Sequence, residues 1–217
     1  MWSPAGDSVD GVNVGDSVRH ALDHWSKQEW DPAMLHACNA VDETGRKRYP
    51  QLGVTARFKR MLRDSVDIYG AMAAADIDLE NSRIPVAVRS DLPDGRPDIA
   101  DVLYAIHRGT HGHHDEISDG FEITANSAGV PAVNITRGKI QLRASAVLGL
   151  LAVAVFAPEN RGEAIPETYT LGWRQHVFLL CGWWGWQDHF RDVIRIGHIP
   201  STPLDFGDEW DNWKPVD

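Results

Sequence analysis

The chain has 217 residues, 43% of them hydrophobic and 24% charged, the profile of an ordinary soluble globular domain with enough apolar surface for a real core. Acidic residues outnumber basic ones 31 to 21, a net charge of −10 with histidines neutral. That argues against a general nucleic-acid coat protein, whose affinity comes from neutralising phosphates, and leaves room for a nuclease with a local basic cleft.

Residues 1–16 are rich in Gly, Asp and Ser, with neither a basic n-region nor an apolar h-region, and read as a flexible leader. Val18 to Gln28 fits a short helix. A longer one follows, with Asp31 as N-cap, Pro32 at the first helical position, and Met34, Leu35, Cys38 and Val41 on one side. It ends in Arg46-Lys47-Arg48, which suits the negative end of a helix dipole. Thr55 can cap the next helix, where Phe58, Met61, Leu62, Val66 and Tyr69 keep the helical period. Its other faces carry Arg57, Lys59, Arg60 and Arg63. Residues 46–63 thus hold seven of the 21 basic residues, and Arg46, Lys47, Arg57, Lys59 and Arg60 are candidate phosphate contacts on an otherwise negative chain. The competing reading is a solvated helix end.

Asp76 to Pro97 is punctuated by Pro85, Pro93, Gly95 and Pro97 and reads as irregular. Asp98 can then N-cap a helix in which Ile99, Val102, Leu103 and Ile106 fall at i, i+3, i+4, i+7. That helix runs into the densest titratable stretch of the chain, His107 to Glu116, which contains His107, His111, His113, His114, Arg108, Asp115 and Glu116. At about 100° per residue, Arg108 and His113 lie about 140° apart on one undistorted helix. A shared target needs either a helix loosened at Gly109 and Gly112 or a second copy of the chain.

After this stretch the period drops to two. Phe121 to Thr124, Ala132 to Ile135 and Lys139 to Leu142 read as a small antiparallel sheet inserted near 121–142. Ala144 to Phe156 is apolar on most sides, hence a central core helix, stopped by Pro158-Glu159-Asn160. Its apolar run is too short to span a bilayer, so no membrane is implied. Residues 161–217 form a Trp-rich extension with an acidic tail: two strands between Thr168 and Cys181, and an amphipathic helix from Trp186 to Arg195. Trp173, Trp183, Trp184 and Trp186 either plug a core or interface or stack bases. Cys38 and Cys181 have neither metal-type spacing nor a disulfide framework, which makes a reducing cytoplasm the default location.

Three stretches together carry a resemblance: residues 40–50 continuing through Arg57-Phe58-Lys59, residues 103–116, and residues 144–160. They resemble bacterial proteins of the HEPN superfamily, all-helical domains many of which are metal-independent ribonucleases marked by an arginine and, four to six residues later, a histidine. Arg108 and His113 fit with four residues between, Arg108 and His114 with five; Gly109 stands where members usually carry Asn, Asp or His. The fold so implied is mainly α, a HEPN-like helical bundle over residues 17–160 with the β insertion.

The activity so implied is an endoribonuclease acting on single-stranded RNA, with Arg108, His113 and His114 catalytic and no metal or cofactor. A homodimer would complete the site, a regulatory protein partner would control it, and the biological setting would be a toxin or phage defence. Histidine titrates near neutrality and suits removal of the 2′-OH proton, while a guanidinium fork matches phosphate oxygens. Two rival readings stand beside this one. The first is a metal-dependent hydrolase using His111, His113, His114, Asp115 and Glu116, all competent ligands although their spacing matches no familiar metal motif. The second is a non-catalytic interaction or RNA-binding module.

Overall fold

The computed structural model describes residues 13–110, 120–127, 129, 131–136, 139–197 and 200–216. Helix α1 (Val14–Ser26) starts four residues before its apolar pattern predicts, because Asn13 caps it, accepting from the Gly15 N–H at 2.9 Å. Helix α2 (Trp30–Arg48) begins one residue ahead of Asp31 and buries a stripe of small residues, Ala33, Ala37, Ala40 and Gly45, among Met34, Cys38 and Val41. These small side chains let neighbours approach closely. A Cβ on Gly45 would sit 3.2 Å from the Arg57 carbonyl oxygen of α3 (Val54–Arg63).

The helix expected to run on from Phe58 to Tyr69 is broken. After α3 the chain turns at Asp64-Ser65 and restarts as α4 (Val66–Ala73). Ser65 is fully buried and the carbonyl of Asp64 is taken by Arg191, at 3.0 Å, from a helix near the C-terminus. Periodicity persists across such a break, so the sequence pattern does not reveal it.

Helix α5 (Ile99–Thr110) opens on a reciprocal capping box. Asp98 accepts from the Asp101 N–H at 2.9 Å, and Asp101 accepts from the Asp98 N–H at 3.2 Å. Then come strands β1 (Phe121–Thr124), β2 (Val133–Thr136) and β3 (Lys139–Arg143). The sheet expected to be antiparallel throughout is mixed: β3 lies in the middle, antiparallel to β2 and parallel to β1. A period of two identifies the inward face, here Ile123, Val133, Ile140 and Leu142, and is silent on direction and neighbour order.

Helix α6 (Ser145–Phe156) is the hub predicted from its composition. Val147, Leu150, Leu151, Val153, Val155 and Phe156 are all fully buried, and α1, α2 and α4 pack around it. The final third adds a hairpin of β4 (Thr170–Trp173) and β5 (His176–Leu179), then α7 (Gln187–Ile196). It shares the main core: Phe190 stacks on Phe156 at 4.0 Å, and Phe178 packs edge-on to both. The tail is equally integrated. Residues 76–78 exchange backbone hydrogen bonds with Thr202, the Leu204 N–H donates to Ser82, and the Trp213 indole donates to the Val86 carbonyl at 2.8 Å. The long irregular connection between α4 and α5 is therefore held by the C-terminus. Among the described residues the fold is mainly α, with two small sheets. Among the described residues, no helix is long and apolar enough to cross a membrane.

Candidate functional site

Helix α5 carries the candidate arginine. Ile99, Val102, Leu103 and Ile106 are buried as their spacing predicts, and one position further on His107 joins the packing, its ring stacked on Phe58 at 4.9 Å and 9°. Arg108 is exposed near the end of the helix, off the apolar stripe. Tyr104, one turn earlier on the same side, shares a hydrogen bond with Thr55 at 2.7 Å. Residues 111–119 lie outside the described residues, and with them His111, His113, His114, Asp115 and Glu116.

Below Arg108, α5 is clamped to α3 by a cluster of charges. Lys59 lies 2.6 Å from Asp101, with Lys59 3% and Asp101 1% exposed. Arg63 spans Asp98 at 2.7 Å, Asp91 at 2.8 Å and Asp101 at 3.0 Å. Burial pushes the Asp91 carboxyl up, but the hydrogen bond and charge of Arg63, with Lys59 beyond, outweigh it and hold the group at about 2. For Asp101 burial prevails over the Lys59 hydrogen bond, and the neighbouring Asp98 charge adds to it, so its carboxyl is raised. Lys59 is a strut between helices here, turned inward where a surface phosphate would not meet it.

The other candidate phosphate contacts are also engaged. Arg57 forms a two-pronged pair with Asp42 at 2.9 Å, Arg46 meets Glu43 at 2.5 Å, and Arg60 lies 3.6 Å from Asp64 and over the Tyr49 ring. Lys47 donates to Glu163 at 2.6 Å and to Asn160 at 2.9 Å. Arg48, read from sequence only as part of a basic helix end, forms a two-pronged pair with Glu159, whose carboxyl is held low by that pair against the effect of burial. All seven cations of residues 46–63 therefore have an acidic partner. Much of that acid comes from more than 25 positions away in the chain, as with Asp91, Asp98, Asp101, Glu159 and Glu163. A sequence window over 46–63 looks basic; the folded surface there is balanced.

Two features escaped the sequence reading. Asn160, read as part of a helix stop, is fully buried; it donates to Thr44 Oγ1 and the Ala154 carbonyl, both at 2.8 Å, and ties the end of α6 to α2. An asparagine just past an apolar helix was the available signal. The second is a cavity of about 300 Å³ lined by Gly182, Trp183, Trp186 and His189. The four tryptophans weighed together separate here: Trp173 and Trp184 are buried, whereas Trp183 is half-buried and Trp186 is 51% exposed. Among the described residues, no group of three or more His, Cys, Asp or Glu side chains is placed to hold a metal ion.

No solved structure matches the chain. It is 60% identical over 207 residues, 94% of this chain and 99% of the relative, to the uncharacterized protein Rv1289 of Mycobacterium tuberculosis (strain ATCC 25618 / H37Rv). The same identity and coverage hold for the uncharacterized protein Mb1320 of Mycobacterium bovis (strain ATCC BAA-935 / AF2122/97). A family profile described as Rv1289 matches residues 13–210, and with these long, closely similar relatives it establishes that the chain belongs to the Rv1289 family.

Proposed function

We propose that this chain is a metal-independent endoribonuclease of the HEPN type, acting on single-stranded RNA in the cytoplasm as a homodimer. In this reading His113 takes the proton from the 2′-OH, the 2′ oxygen attacks the adjacent phosphorus, and the bond to the 5′ oxygen breaks. His114 supports return of a proton to that leaving oxygen. Arg108 steadies the charge gathered on the phosphorane. The products are a 2′,3′-cyclic phosphate and a free 5′-hydroxyl.

The observation that carries the reading is the placement of Arg108. It is exposed, on a helix clamped to its neighbour, and among the described residues it has no ion-pair partner, whereas every cation from 46 to 63 has one. Those pairs also favour a second reading, a non-catalytic interaction module, because they remove the broad positive surface on which RNA would first settle.

Cleavage of single-stranded RNA is expected to persist in excess EDTA, and a 2′-deoxy nucleotide at the cleaved position is expected to block it. His113→Ala should cost roughly 10²–10⁴-fold in rate, and Arg108→Ala roughly 10²–10³-fold, by analogy with losing one oxyanion donor. Activity lost in EDTA and restored by Zn or Mn would give the site to the His111–Glu116 metal reading. No cleavage of any RNA, together with tight binding of a protein partner, would leave the interaction module.

A further inference from the structure

We infer that the cavity between Trp183 and Trp186 is a stacking site for an unpaired nucleobase, with Arg161 placed for the phosphate beside it. The inference rests on the ribonuclease reading for the identity of its ligand, RNA. About 300 Å³ is the lower end of the range for small-ligand pockets, and the walls are two indoles, an imidazole and the bare backbone of Gly182.

The walls are built on rigid supports. Trp183 packs edge-on to Phe178 at 4.7 Å and Phe156 at 5.9 Å, both core residues, and tilts against His189 at 5.4 Å. Trp186 stands at the start of α7, and the loop before it is fixed by a 2.9 Å hydrogen bond from the Gly185 N–H to the Val155 carbonyl of α6. Gly185 has φ +78°, and a Cβ there would sit 2.8 Å from the Cβ of Arg161. Only glycine fits that approach, and it brings Arg161 under the loop, its guanidinium 5.5 Å from the centre of the Trp186 ring.

Arg161 is exposed and, among the described residues, its side chain has no carboxylate partner; its guanidinium donates to the Gly185 carbonyl at 3.4 Å. The neighbouring cations Lys47 and Arg48 are paired to Glu163 and Glu159. Two indoles beside a guanidinium without a carboxylate partner suit a flat aromatic ring bearing an anion, which is the chemistry of a nucleotide. A wholly apolar occupant would gain nothing from the Arg161 charge.

Binding is measured with a short, fluorescently labelled, fully 2′-O-methylated single-stranded oligoribonucleotide, whose blocked nucleophile separates binding from cleavage. Trp186→Ala should weaken binding roughly 5- to 150-fold, which corresponds to a stacking free energy of about 1–3 kcal/mol per base. Trp186→Phe, which keeps a ring, should recover most of the loss, and Arg161→Gln should lower the salt slope by about one unit. On unmodified RNA, Trp186→Ala should raise KM and leave kcat unchanged.

Trp186-dependent binding without any cleavage keeps this site and sinks the ribonuclease reading. Cleavage with an affinity indifferent to Trp186 and Arg161 overturns the site and spares that reading. A wild-type protein that binds no oligonucleotide overturns the site. So does a Trp186→Ala protein that falls from dimer to monomer mass in light scattering while its RNA affinity stays unchanged, because the face then belongs to a second copy.

Discussion

Lys59 and Asp101 meet at 2.6 Å where almost no water reaches either side chain. Removing two charges from water costs several kcal/mol, so the pair adds little net stability, but breaking it strands a charge. Lys59→Met should destabilise the fold by about 3–5 kcal/mol, toward the lower end because Arg63 still faces Asp101. The double variant Lys59→Met, Asp101→Asn should recover part of that loss. Urea denaturation of the two proteins decides it, and a single variant as stable as wild type would show that the strut is dispensable. Asn160→Ala is expected to cost about 0.5–1.5 kcal/mol for each of the two bonds it donates, because Thr44 Oγ1 still donates to the Ala40 carbonyl and the Ala154 carbonyl still accepts from the Ala157 N–H. Neither role was legible in sequence. Helical spacing gives Lys59, like Arg57 and Arg60, a direction around the axis, and only the packing of α5 against α3 decides that this direction points inward.

At the scale of elements, the close approach of α4 and α6 hangs on one glycine. A Cβ on Gly149 would lie 2.7 Å from the Tyr69 ring and 2.9 Å from its carbonyl oxygen, and Tyr69 is itself buried. Gly149→Ala gains about 1 kcal/mol of helix propensity but forces overpacking of about 1–3 kcal/mol, so it should lower the melting temperature. Gly70→Ala, inside α4, meets nothing closer than Leu79 Cδ1 at 3.6 Å and should raise it. Two shifts of the same sign in thermal denaturation would contradict this account of the interface. Element type was largely readable, since capping residues and apolar periods are local. The boundaries and the α3–α4 break were not: Asn13 caps α1 ahead of its apolar pattern, and at the break the Asp64 carbonyl is taken by Arg191, over 120 residues away.

For the whole molecule, the clustered carboxylates set the response to acid. Asp91 titrates at about 2 in the folded chain and near 3.9 when unfolded. Between those values the unfolded chain binds more protons, so this stabilisation is complete above about pH 5 and is lost as pH falls toward 2. Glu159, lowered by Arg48, acts in the same direction. Asp101, raised by burial, acts in the opposite one: its share is present at low pH and declines as pH rises through the carboxylate range. Asp91→Asn should flatten the loss of stability between pH 5 and pH 3, followed by denaturant midpoints across that range; an unaltered slope would place the acid sensitivity elsewhere. If Arg108 and His113 of two copies share one cleft, as proposed, light scattering at micromolar concentration should give twice the chain mass, and a clean monomer would count against a composite site.

The amino-acid pattern alone determined the mainly helical class, the small sheet after the His-rich stretch, the buried hub at 145–156 and the outward direction of Arg108, because each follows from local period, capping and composition. Tertiary structure decided what depends on distant partners. It set the parallel pairing of β1 with β3, placed the Trp-rich last third in the main core, and separated the buried tryptophans from Trp183 and Trp186. It also neutralised the basic stretch at 46–63 with carboxylates such as Glu159 and Glu163, more than a hundred positions along the chain. Charge and aromaticity belong to residues, but their exposure and pairing belong to contacts that a one-dimensional pattern does not encode.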